Sequence, residues 1–495
     1  MKKIKNILFL AFFTLSIVSC DDALEIVQDG EIYREDAFKT VADLRKYLNG
    51  DIYNRVDNTS EIAFTTVFTD EVGIGPDNGG QGLQLHRFVL NANSGDAAGL
   101  WNTQYTLINR VNRLIEFSDL VTPNNEVETV QRDIILAEAR TLRAYAYLQL
   151  LAFFSTNVSD PTALGVILSD KVYDPLVVEP RLRVSNQVIF DFIEADLLFA
   201  ENNLSPAADY KFVTRNLVNA IRARMYVYRK DYVKARQYAS AALTARPLAT
   251  GAAYAGMWSV NDTAGEIIYA ASRPTGGTWG NIASTWYFNT TSASGGCFHD
   301  MGRNLFNLLD QFPNDIRKTA WVDASAAINA NYLTDINYVE NDILPINKYP
   351  GKTQQQPLRN DLKIFRASEM VFILAECDAN DGLLNGAANS VAARIRSIRS
   401  SRGATNVLPV YADAQAAWAS ILLERRKELA FEGHRYLDIK RLATLAGSQG
   451  IDRNVTDDAI RGLPLTLPLS DHRFTLPIPQ LEVAGNITIQ QNPGY

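Results

Sequence analysis

The residues of this chain best suited to chemistry are flat aromatics and short polar side chains gathered in two Gly-rich stretches. Residues 279–288 (WGNIASTWYF) hold four aromatics in ten positions, bracketed by Gly276-Gly277 and Gly295-Gly296. A sugar ring has apolar C–H faces and polar edges, so a site for one needs aromatic platforms beside amides and carboxylates. Trp and Tyr supply a large rigid face at small entropic cost, with a polar handle. Trp279, Trp286 and Tyr287 are the candidate platforms, with Trp258 a fourth. Asp70, Glu71 and Asn78, in a second stretch (70–99) rich in Gly, Asn and Asp, are the candidate hydrogen-bonding partners. The bland alternative is that the aromatics are core and the adjacent carboxylates decorate a solvated loop.

Other chemistries find little support. The four histidines (His86, His299, His434, His472) are scattered, none in metal-ligand spacing. Gly351-Lys352-Thr353 has Ile346 where a phosphate-binding loop needs its first Gly. No Gly-x-Ser-x-Gly elbow occurs. The acidic segment 335–342 offers oxygen ligands but lacks the glycine and terminal Glu of a calcium loop, so a structural calcium stays open and no other metal or cofactor is indicated. Glycosidase carboxylates come from distant segments and cannot be recognised by spacing. The charge run 424–435 places Glu428 and Glu432 one turn apart beside Arg425 and Arg435. Its structural reading is local ion pairs on a helix, each worth a few tenths of a kcal/mol.

These residues must be held by a mostly helical frame. Residues 130–154 carry apolar side chains at three- and four-residue spacing with no Gly or Pro. Ser185 is a candidate N-cap for a helix over 188–200. A helix pair follows, 217–229 and 232–243, in which Ala223, Tyr226, Ala235, Ala239 and Ala242 have the small-residue spacing of a tetratricopeptide repeat. A second helical block covers 365–378, 387–400 and 412–431, punctuated by Gly386, Gly403 and Gly433. Between the blocks, 247–362 contains four of the six Trp and few helical periods. Long irregular stretches in a compact protein are usually functional or disordered. The expected fold is therefore mainly α, with an N-terminal scaffold (20–246), an irregular ligand-binding lobe (247–362) and a helical return (363–495).

The N-terminus carries an address. Lys2, Lys3 and Lys5 precede an apolar run over 7–18, too short to span a bilayer but suited to a signal peptide. It ends in Ser19-Cys20-Asp21, which resembles a bacterial lipobox with Cys20 as the lipidated residue after removal of 1–19. The alternative is an ordinary secretory signal. Several acyl chains on one Cys give stable anchoring. Cleavage takes three Lys and no acid, so the net charge goes from −7 to −10, opposite to the basic surface that nucleic acid requires. The other two cysteines, Cys297 and Cys377, read as small buried hydrophobes rather than a disulfide.

The segment 424–442 (ERRKELAFEGHRYLDIKRL) closely resembles the C-terminal signature of the SusD/RagB family of outer-membrane nutrient-binding lipoproteins. Ala137-Glu-Ala-Arg140 with 142–147 (LRAYAY) resembles the family's long N-terminal helix, and 365–376 its late helix. Residues 394–403 resemble the arginine-rich turn, and 476–479 with 491–495 the C-terminus. One departure is Phe153-Phe154-Ser155, where Tyr-Gly is common in the family. The resemblance implies tetratricopeptide-like helix pairs with an inserted lobe and no enzymatic activity. It also implies a SusC-like TonB-dependent transporter as partner and a glycan as cargo, or in some members a peptide. A secreted glycoside hydrolase is the remote alternative.

Overall fold

A computed structural model describes residues 38–173, 180–205, 209–273, 282–286, 296–352, 356–357, 359–458 and 462–495. The main helices are α1 (Val41–Tyr47), α2 (Thr59–Phe68), α3 (Gly95–Ser118), α4 (Glu126–Phe154), α5 (Asn186–Asn203), α6 (Arg215–Tyr228), α7 (Tyr232–Ala245), α8 (Ala367–Asn380), α9 (Val391–Ser401), α10 (Ala414–Glu428) and α11 (Arg435–Leu442). Short antiparallel ribbons join them. β1 (Val72–Ile74) pairs with β5 (His299–Met301), β2 (Leu164–Ile167) with β3 (Arg183–Ser185), β4 (Ile267–Ala271) with β6 (Leu362–Arg366), and β7 (Gly450–Asp452) with β8 (Thr466–Pro468).

The expected helices form for the expected reasons. Asn125 caps α4 by accepting from the Glu128 amide at 3.0 Å. From Ile135 onward nearly every α4 residue is buried, because α3 and α5 pack on it and further elements close its other faces. At its far end Lys440 Nζ donates to the Ala152 and Ser155 carbonyls (3.2 and 2.8 Å), satisfying carbonyls that the helix leaves open there. Ser185 is the N-cap residue of α5, though its side chain makes no cap bond. In the α6–α7 pair, Lys230 takes a left-handed φ of 60° to reverse the chain. Ala223, Ala235, Ala239 and Ala242 are fully buried and Tyr226 nearly so, as the repeat spacing predicts. α7 then packs on α8, and α8 on α9 and α10. This is the helix-pair stacking expected of the scaffold.

One helix starts later than expected. Residues 362–366 are strand β6, registered from Ala271↔Leu362 to Ile267↔Arg366, and α8 begins at Ala367. Arg366 is extended (φ −133°, ψ 156°). Its guanidinium enters a buried charge cluster that corrects the reading of 424–435 as local surface pairs. Glu428 Oε1 meets Arg402 Nη2 at 2.9 Å and Arg366 Nη1 at 3.1 Å, and Glu428 Oε2 meets Arg317 Nη1 at 3.4 Å. Arg366 also binds Glu266 and Glu432, each at 2.7 Å, and Arg402 binds Glu266 at 2.9 Å. Lys348 reaches Glu432 at 2.6 Å across the faces of Trp321 and Trp258, 3.8 and 4.4 Å from the ring centres. The partners come from elements far apart in sequence, so the cluster ties residues 247–366 to α10 from within. Cys297 and Cys377 are free and buried, as expected.

Candidate functional site

The two Gly-rich stretches meet. β1 and β5 pair from Val72↔Met301 to Ile74↔His299. Just beyond, the Asp77 amide donates to the Cys297 carbonyl (3.1 Å), and Asp77 Oδ2 accepts from the Cys297 amide (2.7 Å). Asn78 Nδ2 donates to the carbonyls of Gln81 and Phe298, both at 2.9 Å, and its Oδ1 accepts from the Gly80 amide at 2.8 Å. Backbones approach so closely here that a Cβ on Gly75 would stand 2.3 Å from the Cys297 carbonyl oxygen. The turn at 282–286 joins the same strand, the Trp286 carbonyl accepting from the Phe298 and His299 amides (2.8 and 3.2 Å). The result is a clamped loop, largely exposed between Pro76 and Gln84. Its exposed residues include Asp77, Gln81 and Gln84, while the amides of residues 77–80 are bonded within the clamp. That exposed loop is the candidate binding surface.

Most of the individual residue assignments change in the structure. Trp286 and Trp258 are 0% and 2% exposed. Trp286 packs against Phe431 and Tyr349 (ring centres 5.4 and 6.1 Å apart), and Trp258 against Tyr349 and Trp321 (5.9 and 6.1 Å). Both rings are enclosed by these neighbours, and Lys348 lies over Trp258 as well, so neither can be a platform. Asp70 is fully buried, gripped on both oxygens by Arg435 (2.7 and 2.8 Å) with Arg426 at 3.5 Å. Burial pushes its pKa up, but the two guanidiniums outweigh this and hold it well below the usual carboxylate range. Glu71 is also fully buried, Oε1 accepting from the Phe431 amide at 3.0 Å and Oε2 without a partner. Burial pushes its carboxyl up to about 7. These two acids fasten β1 to the α10–α11 segment and do not reach solvent. Asn78 alone lies at the surface loop, as its clamp. Trp279, Tyr287 and Cys20 lie outside the described residues.

Beneath the loop, His299 is buried, its Nδ1 3.1 Å from the Thr285 carbonyl, and desolvation lowers its pKa to about 4. It is neutral near pH 7. Among the described residues no group of three or more His, Cys, Asp or Glu could hold a metal ion. Asp335 of the acidic segment is occupied by the amides of Asn329 and Asn341 (2.7 and 2.8 Å).

Sequence reasoning missed a second concavity. A cavity of about 680 Å³ lies between α3 and residues 479–486. Its α3 wall bears Asn102, Tyr105 and Asn109. Their spacing of three and four residues was the available signal.

Stacked helix pairs carrying a clamped polar loop define a helical scaffold with an exposed, polar surface loop. Residues 284–495 match the family model described as the SusD family. The chain is 25% identical to SusD-like protein P2 of Formosa agariphila over the full length of both. It is 29% identical to a SusD-like protein of Bacteroides ovatus over 168 residues, 32% of this chain and 29% of that one. Among solved structures, a SusD superfamily protein of Bacteroides vulgatus superposes with a TM-score of 0.74 at 19% identity, covering 92% of this chain and 100% of that one. Surface glycan-binding protein A of Bacteroides fluxus superposes at 0.68 with 20% identity, with the same coverage. Over residues 284–495 the chain is thus similar to the SusD family, and over nearly its whole length it shares the fold of a SusD superfamily structure. Among the described residues no helix is long and apolar enough to cross a membrane.

Proposed function

We propose that this protein is a cell-surface lipoprotein, anchored through Cys20 on the outer membrane, that captures glycans and passes them to a SusC-like TonB-dependent transporter. The observation that carries the reading is the convergence of the two irregular stretches at the β1–β5 ribbon. A polar loop is fixed there on a rigid helical frame, with Gly-rich backbone open to a ligand. Pre-organised loops on a rigid frame lose little entropy on binding. The match of residues 284–495 to the SusD family model supports it, as does the likeness in fold to a surface glycan-binding protein. A binding role without catalysis fits the burial of Asp70 and Glu71, whose oxygens cannot reach a ligand at the loop. Trp279 and Tyr287, whose positions flank the 282–286 turn in sequence, remain the proposed platforms.

The soluble form from Asp21 onward, screened on a glycan array and titrated by calorimetry, tests this. The expected result is saturable binding of at least one oligosaccharide without release of new reducing ends. Binding of oligopeptides and no glycan overturns the cargo assignment. Product release overturns the binding-only role.

A further inference from the structure

The cavity between α3 and the C-terminal segment shares no residue with the clamped loop. Asn102, Tyr105 and Asn109 stand on one face of α3, and Gln480, Glu482 and Asn486 form the opposite wall. These walls are more than 370 positions apart in sequence and are sewn together at one edge, where the Gln480 amide donates to the Ala92 carbonyl (2.8 Å). The side chains of Asn102 and Gln480 have no hydrogen-bond partner among the described residues, and Asn109 uses only its Oδ1, accepting from Arg113 (3.0 Å). Other groups are fixed in place. Tyr105 donates to the Ile167 carbonyl (2.8 Å), Glu482 Oε2 accepts from Trp101 Nε1 (3.2 Å), and Asn486 Nδ2 donates to the Arg181 carbonyl (2.6 Å). Arg181 lies over the Tyr173 ring at 4.1 Å, making a flat wall at the cavity's edge, and Leu481 beside it is 83% exposed. One guanidinium and one carboxylate balance each other, so the lining favours a neutral ligand. Amides that can donate and accept, a flat ring and an exposed apolar side chain match hydroxyl edges and C–H faces. The volume falls within the range of small-molecule sites.

We propose that this cavity is a second saccharide-binding site, taking a short neutral oligosaccharide independently of the clamped loop. The assignment rests on the glycan reading above. Asn102, Asn109 and Gln480 supply the hydrogen bonds, and the Tyr173–Arg181 wall supports a ring face.

The test uses the soluble protein and the neutral oligosaccharide that binds it most strongly on the array. N102A/N109A sits on a helix surface where Ala is well tolerated, so the fold should survive; Q81A perturbs the clamped loop instead. Calorimetry should give N102A/N109A binding weakened about tenfold or more, or one equivalent of sites lost, with thermal unfolding unchanged. Q81A should leave that component intact. A wild-type isotherm from N102A/N109A overturns the cavity assignment and leaves the glycan reading standing. A wild-type protein that binds no oligosaccharide on the array overturns the glycan reading first and this assignment with it. N102W, which projects a large ring into the cavity, gives a second check: unchanged binding with that bulk in place also overturns the assignment.

Discussion

Glu428 is the acid on which the buried charge cluster turns, and replacing it isolates the cluster's energetic role. Its carboxylate contacts Arg402, Arg366 and Arg317 at 2.9, 3.1 and 3.4 Å, and all four side chains are at most 1% exposed. At an effective dielectric of about 20, one such contact near 3 Å is worth roughly 5 kcal/mol in gross Coulomb energy. Desolvation of all four ions offsets much of that sum. Removing one partner does not recover the cost of burying the others, so deletion of a buried charge typically loses about 3–5 kcal/mol. Glu428→Gln keeps the shape and one acceptor but leaves Arg402 and Arg366 without enough negative charge. Urea unfolding of the soluble protein should show a lower midpoint at unchanged slope, equivalent to about 3–5 kcal/mol. Lys46→Ala, which breaks the exposed pair with Asp43 at 3.1 Å, should cost less than about 0.5 kcal/mol. High salt should close the gap for the surface pair and not for Glu428. A Glu428→Gln protein within about 1 kcal/mol of wild type would refute the claim that this cluster locks the lobe to α10.

Three further outcomes follow from burial. Trp286→Ala should destabilise the protein by about 3–5 kcal/mol through loss of core packing, measured by denaturant unfolding, because its ring lies wholly inside. Glu71 carries a folded-state pKa of about 7 against an ordinary 4.5. The folded protein therefore holds a proton that the unfolded chain releases, and stability falls as pH rises from about 4.5 to about 7. Glu71→Gln should flatten that slope, gaining up to about 3 kcal/mol at pH 8 and nothing at pH 4, as read from unfolding across pH. Gly75→Ala should cost about 1–3 kcal/mol, since its methyl meets the Cys297 carbonyl, and should weaken glycan binding by displacing the clamped loop.

What the sequence disclosed depended on the range of the interaction. The α6–α7 pair was readable because small-residue spacing is a local property, and Ala223, Ala235, Ala239 and Ala242 are buried as that spacing requires. The meeting of 70–99 with the irregular lobe was anticipated only as two places to look; β1 and β5 supply the join. The direction in which each Trp faces was not legible. Trp258 and Trp321 line up under Lys348, whose place is set by Glu432, 84 positions further along the chain. The charge run was misread for the same reason. Its helical neighbours are visible in sequence, while its partners Arg317, Lys348, Arg366 and Arg402 are not. A helix whose last five residues, Glu424 to Glu428, are all charged and all buried marks a junction rather than a surface, and only packing reveals that.

The claim that binding occurs where the irregular stretches converge, with the helices serving as frame, is tested most directly by hydrogen–deuterium exchange of the soluble protein with and without saturating oligosaccharide. Amides of 75–84 and 296–299 should slow on binding, while those of α6, α7 and α8 keep their rates. Protection confined to those helices, with the 75–84 loop unchanged, would contradict it.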